Sequence, residues 1–338
     1  MPTRQSLYFT GPRQVEVLSE ECPTPGPGEV LVRTHLSAIS SGTEMLIYRD
    51  QTPKQLVLDE TITALKGGFQ YPLKYGYAAI GEVIALGEGV NTRWAGQRVF
   101  AFNPHETHFI APATGLICLP EGISHEDAAF LPNMETAVNL VMDGQPVIGE
   151  RVVVIGQGIV GLLTSALLAR FPLEELATLD MHANRREASA ALGARPVHPD
   201  TIATLLIDWR SSAHPYADLI FELSGAPDAL NTAISLSGFD SRIVVGSWYG
   251  EKQAAINLGG AFHRNRIQII SSQVSTVAPH LQGRWDKTRR FATTLKMLAE
   301  IRPKRFITQR LPLSAAASAY RLLDENPQRT IQVIVDYP

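Results

Sequence analysis

The stretch from Val152 to Gly161, VVVIGQGIVG, sets Gly156, Gly158 and Gly161 in G-x-G-x-x-G spacing. A loop of this kind can hold a pyrophosphate. Gly156 permits the tight turn, Gly158 lets the main chain approach phosphate oxygens, and Gly161 lets the following helix pack close to the preceding strand. Gln157, Ile159 and Val160 lie between the glycines and belong to the same nucleotide-contacting loop. Beyond it, the helix N-terminus offers free N–H groups and partial positive charge to an anion. The spacing alone would be a weak signal. Here it follows the apolar run RVVVIG and opens the apolar run IVGLLTSALLARF, the strand–turn–helix context the motif needs.

The next apolar run, LATLD, ends in Asp180. A carboxylate at that point can accept hydrogen bonds from adenosine ribose hydroxyls and repels the extra phosphate of NADP, which favours NAD(H) over NADP(H). Arg185 and Arg186 pull the other way, since either could reach a 2′-phosphate, stack on adenine, or simply be solvated. Two later runs end in ELSG and VVGSW. Ligands of open α/β sheets sit beyond the carboxyl ends of the strands. That places Ser224 and Gly225 near a ribose, and Gly246 and Ser247 near a nicotinamide, with ordinary turn serines as the alternative.

One metal alternative presents itself. NPHETHF gathers His105, Glu106 and His108, but in a spacing unlike the helical H-E-x-x-H pattern, in which both histidines share a face. Loop histidines without a metal are the commoner case, so no metal ligand is assigned.

Around these residues the chain is ordinary in bulk. Its 338 residues suffice for two domains. It is 45% hydrophobic and 19% charged with a net charge of -3, and it lacks the Lys/Arg blocks that would indicate a nucleic-acid partner. KTRRFATTLK, from Lys287, reads as the solvated face of a helix. Two cysteines, Cys22 and Cys118, exclude a disulfide framework and a Cys-rich zinc lobe. The start lacks a signal-peptide core and no apolar run spans a bilayer, so the expected partner is a small-molecule substrate and the expected location the cytoplasm.

The pattern changes along the chain. Up to about Glu126, short alternating runs such as EVLVRTHLSAIS and AAIGEVIAL are punctuated by Gly and Pro, as in an all-β, barrel-like domain. From Asp127 to about 277, apolar strands alternate with helices, which implies a doubly wound parallel sheet. Residues from about 278 to 338 then return to the first domain. The stretch from Arg49 to Pro72 is too long for a simple turn and reads as a lid or pocket wall.

KYGYAAIGEVIALGEGV, LSAISSGTEMLIYRD, EDAAFLPNMETAVNLV and the closing SAAASAYRLLDENP with IQVIVDY together resemble the medium-chain dehydrogenase/reductase superfamily, in order and over nearly the whole chain. The resemblance implies an α/β architecture: a GroES-like β-barrel catalytic domain (1–126, completed by 278–338), a Rossmann domain (127–277), a cleft between them, and a homodimer. Thr136, in the helix leading into the Rossmann domain, joins the cofactor-binding set on this basis. The zinc-binding positions depart from the family. Ser41 stands where the first cysteine ligand would be, Tyr77 where the histidine would be, and Ala78 where its glutamate would be. Glu135 is the one ligand-capable acid left, and one carboxylate with a hydroxyl is not a tetrahedral zinc site. S-S-G-T-E with G-Y is similar to the zinc-less group that includes the bacteriochlorophyllide hydroxyethyl dehydrogenases.

Without zinc, protein donors must stabilise a developing alkoxide, and one well-placed donor supplies about 3–4 kcal/mol in favourable cases. Thr43 lies where zinc relatives pass the alcohol proton. Tyr77 could donate to a substrate oxygen, act as acid/base if its pKa were lowered, or merely fill the vacated cavity. Ser41 is a third candidate. Glu44 reads as a structural acid that hydrogen-bonds main chain, and Tyr48 and Arg49 as pocket neighbours. The expected activity is zinc-independent hydride transfer between NAD(H) and an activated secondary alcohol or ketone. An NADPH-dependent quinone or enoyl reductase and a non-catalytic nucleotide-binding protein are the competing readings.

Overall fold

The computed structural model describes residues 3–59, 61–210 and 214–338. These form two compact units, Met1–Pro132 with Leu298–Pro338, and Asn133–Met297.

In the first unit, Thr3–Gly11 and Gln14–Glu21 form an antiparallel hairpin. The main sheet has seven strands, ordered Ile307–Pro312, Gln332–Asp336, Glu29–Ile39, Ala79–Leu86, Arg98–Ala101, Ile117–Cys118, with His108–Pro112 also paired to Glu29–Ile39. The long Glu29–Ile39 strand organises it. Val30, Val32, Thr34 and Leu36 are buried at every second position, the period of a pleated strand. One of its edges takes His108–Pro112 along the first half and Gln332–Asp336 along the last residues. The Arg49 to Pro72 stretch, outside Glu60, is anchored rather than free: Leu58, Leu65 and Phe69 join the same core as Tyr48, Tyr75 and Tyr320. Leu56 and Val57 at its tip are exposed.

The second unit carries a six-stranded sheet ordered Arg195–Val197, Glu175–Leu179, Arg151–Ile155, Ala217–Glu222, Ser237–Val245, Gln268–Ser271. Every pairing is parallel. In chain order this is 3-2-1-4-5-6, the Rossmann arrangement, with its switch point between Arg151–Ile155 and Ala217–Glu222. Arg151–Ile155 is buried at every residue, as a central parallel strand must be. The helix Ile159–Leu168 that follows is buried at all but one position. Arg195–Val197, only three residues long, carries too little pattern to be read from sequence, whereas sequence reasoning missed the helix Ile202–Trp209 although Ile202, Leu205, Leu206 and Trp209 stand at helical spacing and pack on one core.

A charge cluster ties the N-terminal hairpin to the segment that leads to Tyr77. Lys74 Nζ lies 2.8 Å from Glu20 and 2.6 Å from Glu106, and Arg4 Nε donates to Glu20 at 2.9 Å. Burial alone would raise the Glu20 pKa. Hydrogen bonds from Lys74, Tyr8 and Ser6 and the Lys74 charge outweigh burial and hold it at about 2. A carboxylate depressed in the folded state contributes stability above its unfolded value, and that stability is lost as pH falls from 4.5 through about 2. Glu20→Gln is therefore expected to flatten the acid limb of a Tm-against-pH curve over that window. An unchanged acid limb would show that the cluster does not contribute.

Candidate active site

The first unit brings three hydroxyls together. Tyr77 and Ser40 share a short hydrogen bond, and Thr43 Oγ1 lies 3.3 Å from the same phenol oxygen. Local sequence explains the meeting. Ser40 follows the Glu29–Ile39 strand, and Thr43 opens the short helix Thr43–Tyr48. Gly76, at φ +132, turns the chain so that Tyr77 faces them. Thr43 N also donates to Ser40 Oγ at 3.4 Å. Burial pushes the Tyr77 pKa up, and the hydrogen bonds from Ser40 and Thr43 only partly offset this. The direction is the opposite of the lowered pKa that an acid/base role for Tyr77 would need.

Ser41 is not part of this group. No hydrogen bond joins it to Tyr77 or Thr43 among the described residues, and the serine that meets Tyr77 is its neighbour Ser40. Sequence reasoning missed Ser40 because it looked only at the position of the absent cysteine.

Glu44 is fully buried beneath the hydroxyls. It accepts from Ser40 N at 2.8 Å, from Tyr320 Oη, and pairs with His105 Nε2 at 3.0 Å. The main-chain bond agrees with the structural role expected for it. His105 in turn meets Ser37 Oγ at 2.6 Å, and Ser37 meets Tyr337 Oη at 2.8 Å. Tyr48 and Arg49 are spent on the helix Ala316–Glu325, Tyr48 stacked on Tyr320 and Arg49 bonded to Asp324 at 2.6 Å. The histidine-rich loop is equally committed: Glu106 belongs to the Lys74 cluster and His108 bonds Thr107 at 3.2 Å. Among the described residues, no three His, Cys, Asp or Glu side chains gather in a way that could hold a metal ion.

In the second unit the glycines behave as their spacing predicts. Gly156 has φ +90, and a Cβ there would lie 2.6 Å from the Leu223 and Ser224 main chain. A Cβ on Gly161 would lie 1.9 Å from Gly156 O, whereas Gly158 has nothing within 4 Å. Gly158 is thus the open glycine of the loop, with Ile159 buried and Val160 half-buried behind it at the helix start. Gln157 differs from expectation. Its side chain is buried, donating to Val154 O and Gly156 O and accepting from Ser165, so it braces the loop from within.

Asp180 accepts from Gln157 N and His182 N, both at 2.8 Å, and lies 3.8 Å from Arg185. Burial lowers the Arg185 pKa and Asp180 partly restores it. Arg186 is turned away to the main-chain oxygens of Asp180 and Met181. At the end of Ala217–Glu222, Ser224 bonds the buried Glu222, which also accepts from Tyr249 Oη at 2.5 Å. Gly225 N donates to Ser247 Oγ at 2.9 Å, joining two of the expected turns. Gly246 is required for packing, since a Cβ would lie 2.6 Å from Leu223 and 2.7 Å from Leu140. Thr136 is half-buried on the helix Leu131–Gly144.

Arg290 corrects the reading of KTRRFATTLK as a wholly solvated face. It is 1% exposed. It donates to Asn139 Oδ1 at 2.6 Å, Glu135 Oε1 at 2.8 Å, Thr276 O at 2.9 Å and Val274 O at 2.5 Å. Glu135, the one acid left from a zinc set, is therefore already neutralised by a guanidinium. The sequence held no cue to this, because Arg290 stands in a run of cations.

No protein-family model matches the chain. It is similar to the D-guloside 3-dehydrogenase of Escherichia coli K12, 23% identical over 98% of this chain and 100% of that one. It is also similar to the zinc-type alcohol dehydrogenase-like protein YphC of the same strain, 23% identical over the full length of both. Among solved structures it resembles the short chain alcohol dehydrogenase rspB of Escherichia coli CFT073 in complex with NADH, with a TM-score of 0.78, 20% identity and 99% of each chain covered. No helix among the described residues is long and apolar enough to cross a membrane.

Proposed function

We propose, from its likeness to a zinc-type alcohol dehydrogenase-like protein and to an NADH-bound alcohol dehydrogenase structure, that this chain is a medium-chain dehydrogenase/reductase, a zinc-independent oxidoreductase moving hydride between NAD(H) and an activated secondary alcohol or its ketone. The observation that carries the reading is the Tyr77–Ser40–Thr43 hydroxyl group, in which the resemblance gives Tyr77 the position of a metal-binding histidine and Thr43 that of the hydroxyl that passes the alcohol proton. A bound nicotinamide would supply the hydride acceptor or donor. In this reading Ser40 and Thr43 take the donor part in their contacts with the Tyr77 oxygen, which leaves the phenol proton for a substrate oxygen. A donor held in place where negative charge develops is worth about 2.7–4 kcal/mol. With no cation in this role, an alcohol whose ketone is conjugated is the fitting substrate, and the zinc-less subgroup is the fitting place for the chain.

The Gly156 loop and Asp180 support binding of NAD(H). The acid's oxygens face main-chain N–H groups of the loop and of His182, so a 2′-phosphate would meet a carboxylate held in position. Asp180→Ala is expected to weaken NADH binding by roughly tenfold to a hundredfold, the worth of a hydrogen bond to a charged group, and to narrow the preference over NADPH. Fluorescence titration with both dinucleotides checks this. Tighter binding of NADPH by the unaltered protein would instead promote the reductase reading, and binding of neither would favour a non-catalytic protein. Metal analysis of the same sample completes the test, since one zinc per chain would end the zinc-independent mechanism.

A homodimer belongs to this reading. Gln268–Ser271 ends the six-stranded order with one neighbour among the described residues, and such an edge is a natural contact for a second copy. Sedimentation at the mass of a single chain would remove it.

A further inference from the structure

Beneath the three hydroxyls lies a pair that touches both of the segments carrying them. Glu44 and His105 are each 0% exposed and 3.0 Å apart. Through Oε1, Glu44 accepts from Ser40 N at 2.8 Å and so fixes the segment that holds Ser40 and Thr43. His105 meets the other segment by shape. Gly76, one residue before Tyr77, is so close that a Cβ there would lie 2.8 Å from Cδ2 and 2.9 Å from Nε2 of the imidazole. The pair is anchored from behind by Tyr320 on Glu44 and by Ser37 on His105.

We infer that Glu44 and His105 are positioning residues whose contact sets the distance and angle between Tyr77 and its two hydroxyl partners. The inference rests on the reading of Tyr77 as the substrate's hydrogen-bond donor. Neither residue faces the reacting atoms. Glu44 reaches them through the Ser40 amide, and His105 through the Gly76 main chain. A catalytic constellation is only as good as the groups that lock its members, and a misplacement of about 1 Å costs about a hundredfold in rate. Burying an acid beside an imidazole is a costly way to fill space, and removing one partner leaves the other uncompensated. The pair's arrangement is explained by the two segments it holds.

The test needs no substrate. 3-Fluorotyrosine is placed at position 77 of the full chain and its 19F resonance is read, with Tyr249 labelled in a parallel sample as a control in the other unit. The unaltered protein should give one narrow resonance. Glu44→Gln retains an acceptor for Ser40 N and a donor for the imidazole, and should keep that resonance. Glu44→Ala should shift or double it while the Tyr249 signal stays put. If Glu44→Ala does not fold, Glu44→Met with His105→Leu removes the pair without leaving a lone buried charge, and should give the same shifted or doubled signal. A wild-type resonance in either folded variant would overturn the inference, and so would a resonance already doubled in the unaltered protein. Loss of turnover on Tyr77→Phe is a separate measurement. Full turnover by that variant would reject Tyr77 as the donor, and with it any catalytic purpose for the pair, whereas an unmoved resonance rejects the positioning role alone.

Discussion

Tyr77→Phe is expected to lower kcat by roughly a hundredfold to a thousandfold, the usual cost of losing one preorganised donor at a developing oxyanion. The measurement is NADH formation from a secondary alcohol whose ketone is conjugated. The substitution removes one oxygen and leaves the ring, which packs edge-on to Tyr75 at 6.1 Å, so the core should survive it. NADH affinity is expected to be unchanged, because the substitution leaves the Gly156 loop and Asp180 untouched. The pH profile carries a second sign. With the phenol pushed above its ordinary value of 10.0, no limb from its ionisation should appear at or below that pH. A variant that turns over at the wild-type rate would show the phenol to be a space-filler, and the hydroxyl mechanism would fall.

Gly156 and Gly158, two residues apart in the same loop, are expected to respond differently to the same substitution. Gly156→Ala forces a Cβ onto Leu223 and Ser224 main chain at a positive φ, where side chains rarely sit. A residue forced into such a backbone costs about 1–3 kcal/mol before any clash is counted. Lowered Tm and a loss of NADH affinity of at least about tenfold are expected. Gly158→Ala has neither problem, with φ -65 and open space around it. It should leave Tm near wild type and still weaken NADH, since the added methyl occupies the approach reserved for a pyrophosphate. Unaltered NADH affinity in Gly158→Ala would mean that the dinucleotide does not lie on this loop.

Much of this was legible in the chain because it depends on short-range pattern. The Gly156 loop announces itself through a buried strand before it and an apolar helix after it, and a doubly wound parallel sheet follows from alternation of strand and helix, although its three-residue strand Arg195–Val197 does not. Thr43 and Tyr77 were found from family positions, and they do meet. What stayed hidden depends on contacts between residues far apart in sequence. Ser40 and Ser41 are chemically identical in a string, and only the turn after Ile39 decides which one reaches the phenol. Gln157 sits inside a nucleotide motif yet points into the protein. His105 looks like part of a loose metal cluster until Glu44 and Ser37 are placed on either side of it. Arg290 is one cation among several until burial singles it out.

The strand Gln332–Asp336 lies between Ile307–Pro312 and Glu29–Ile39, pairing Val333 with Ile39 across the whole of the nucleotide-binding insertion. Tyr320 and Tyr337, which hold Glu44 and Ser37, come from the same late segment. During translation the Rossmann sheet can close as soon as its own residues have left the ribosome, since domains fold as units. The hydroxyl group cannot. Ser40, Thr43 and Tyr77 are synthesised early and must wait, with a gap in their sheet, until the far end of the chain arrives to fill it. Assembly of this hydroxyl group is thus expected to be a late event of biosynthesis, gated by a strand that contributes none of its members.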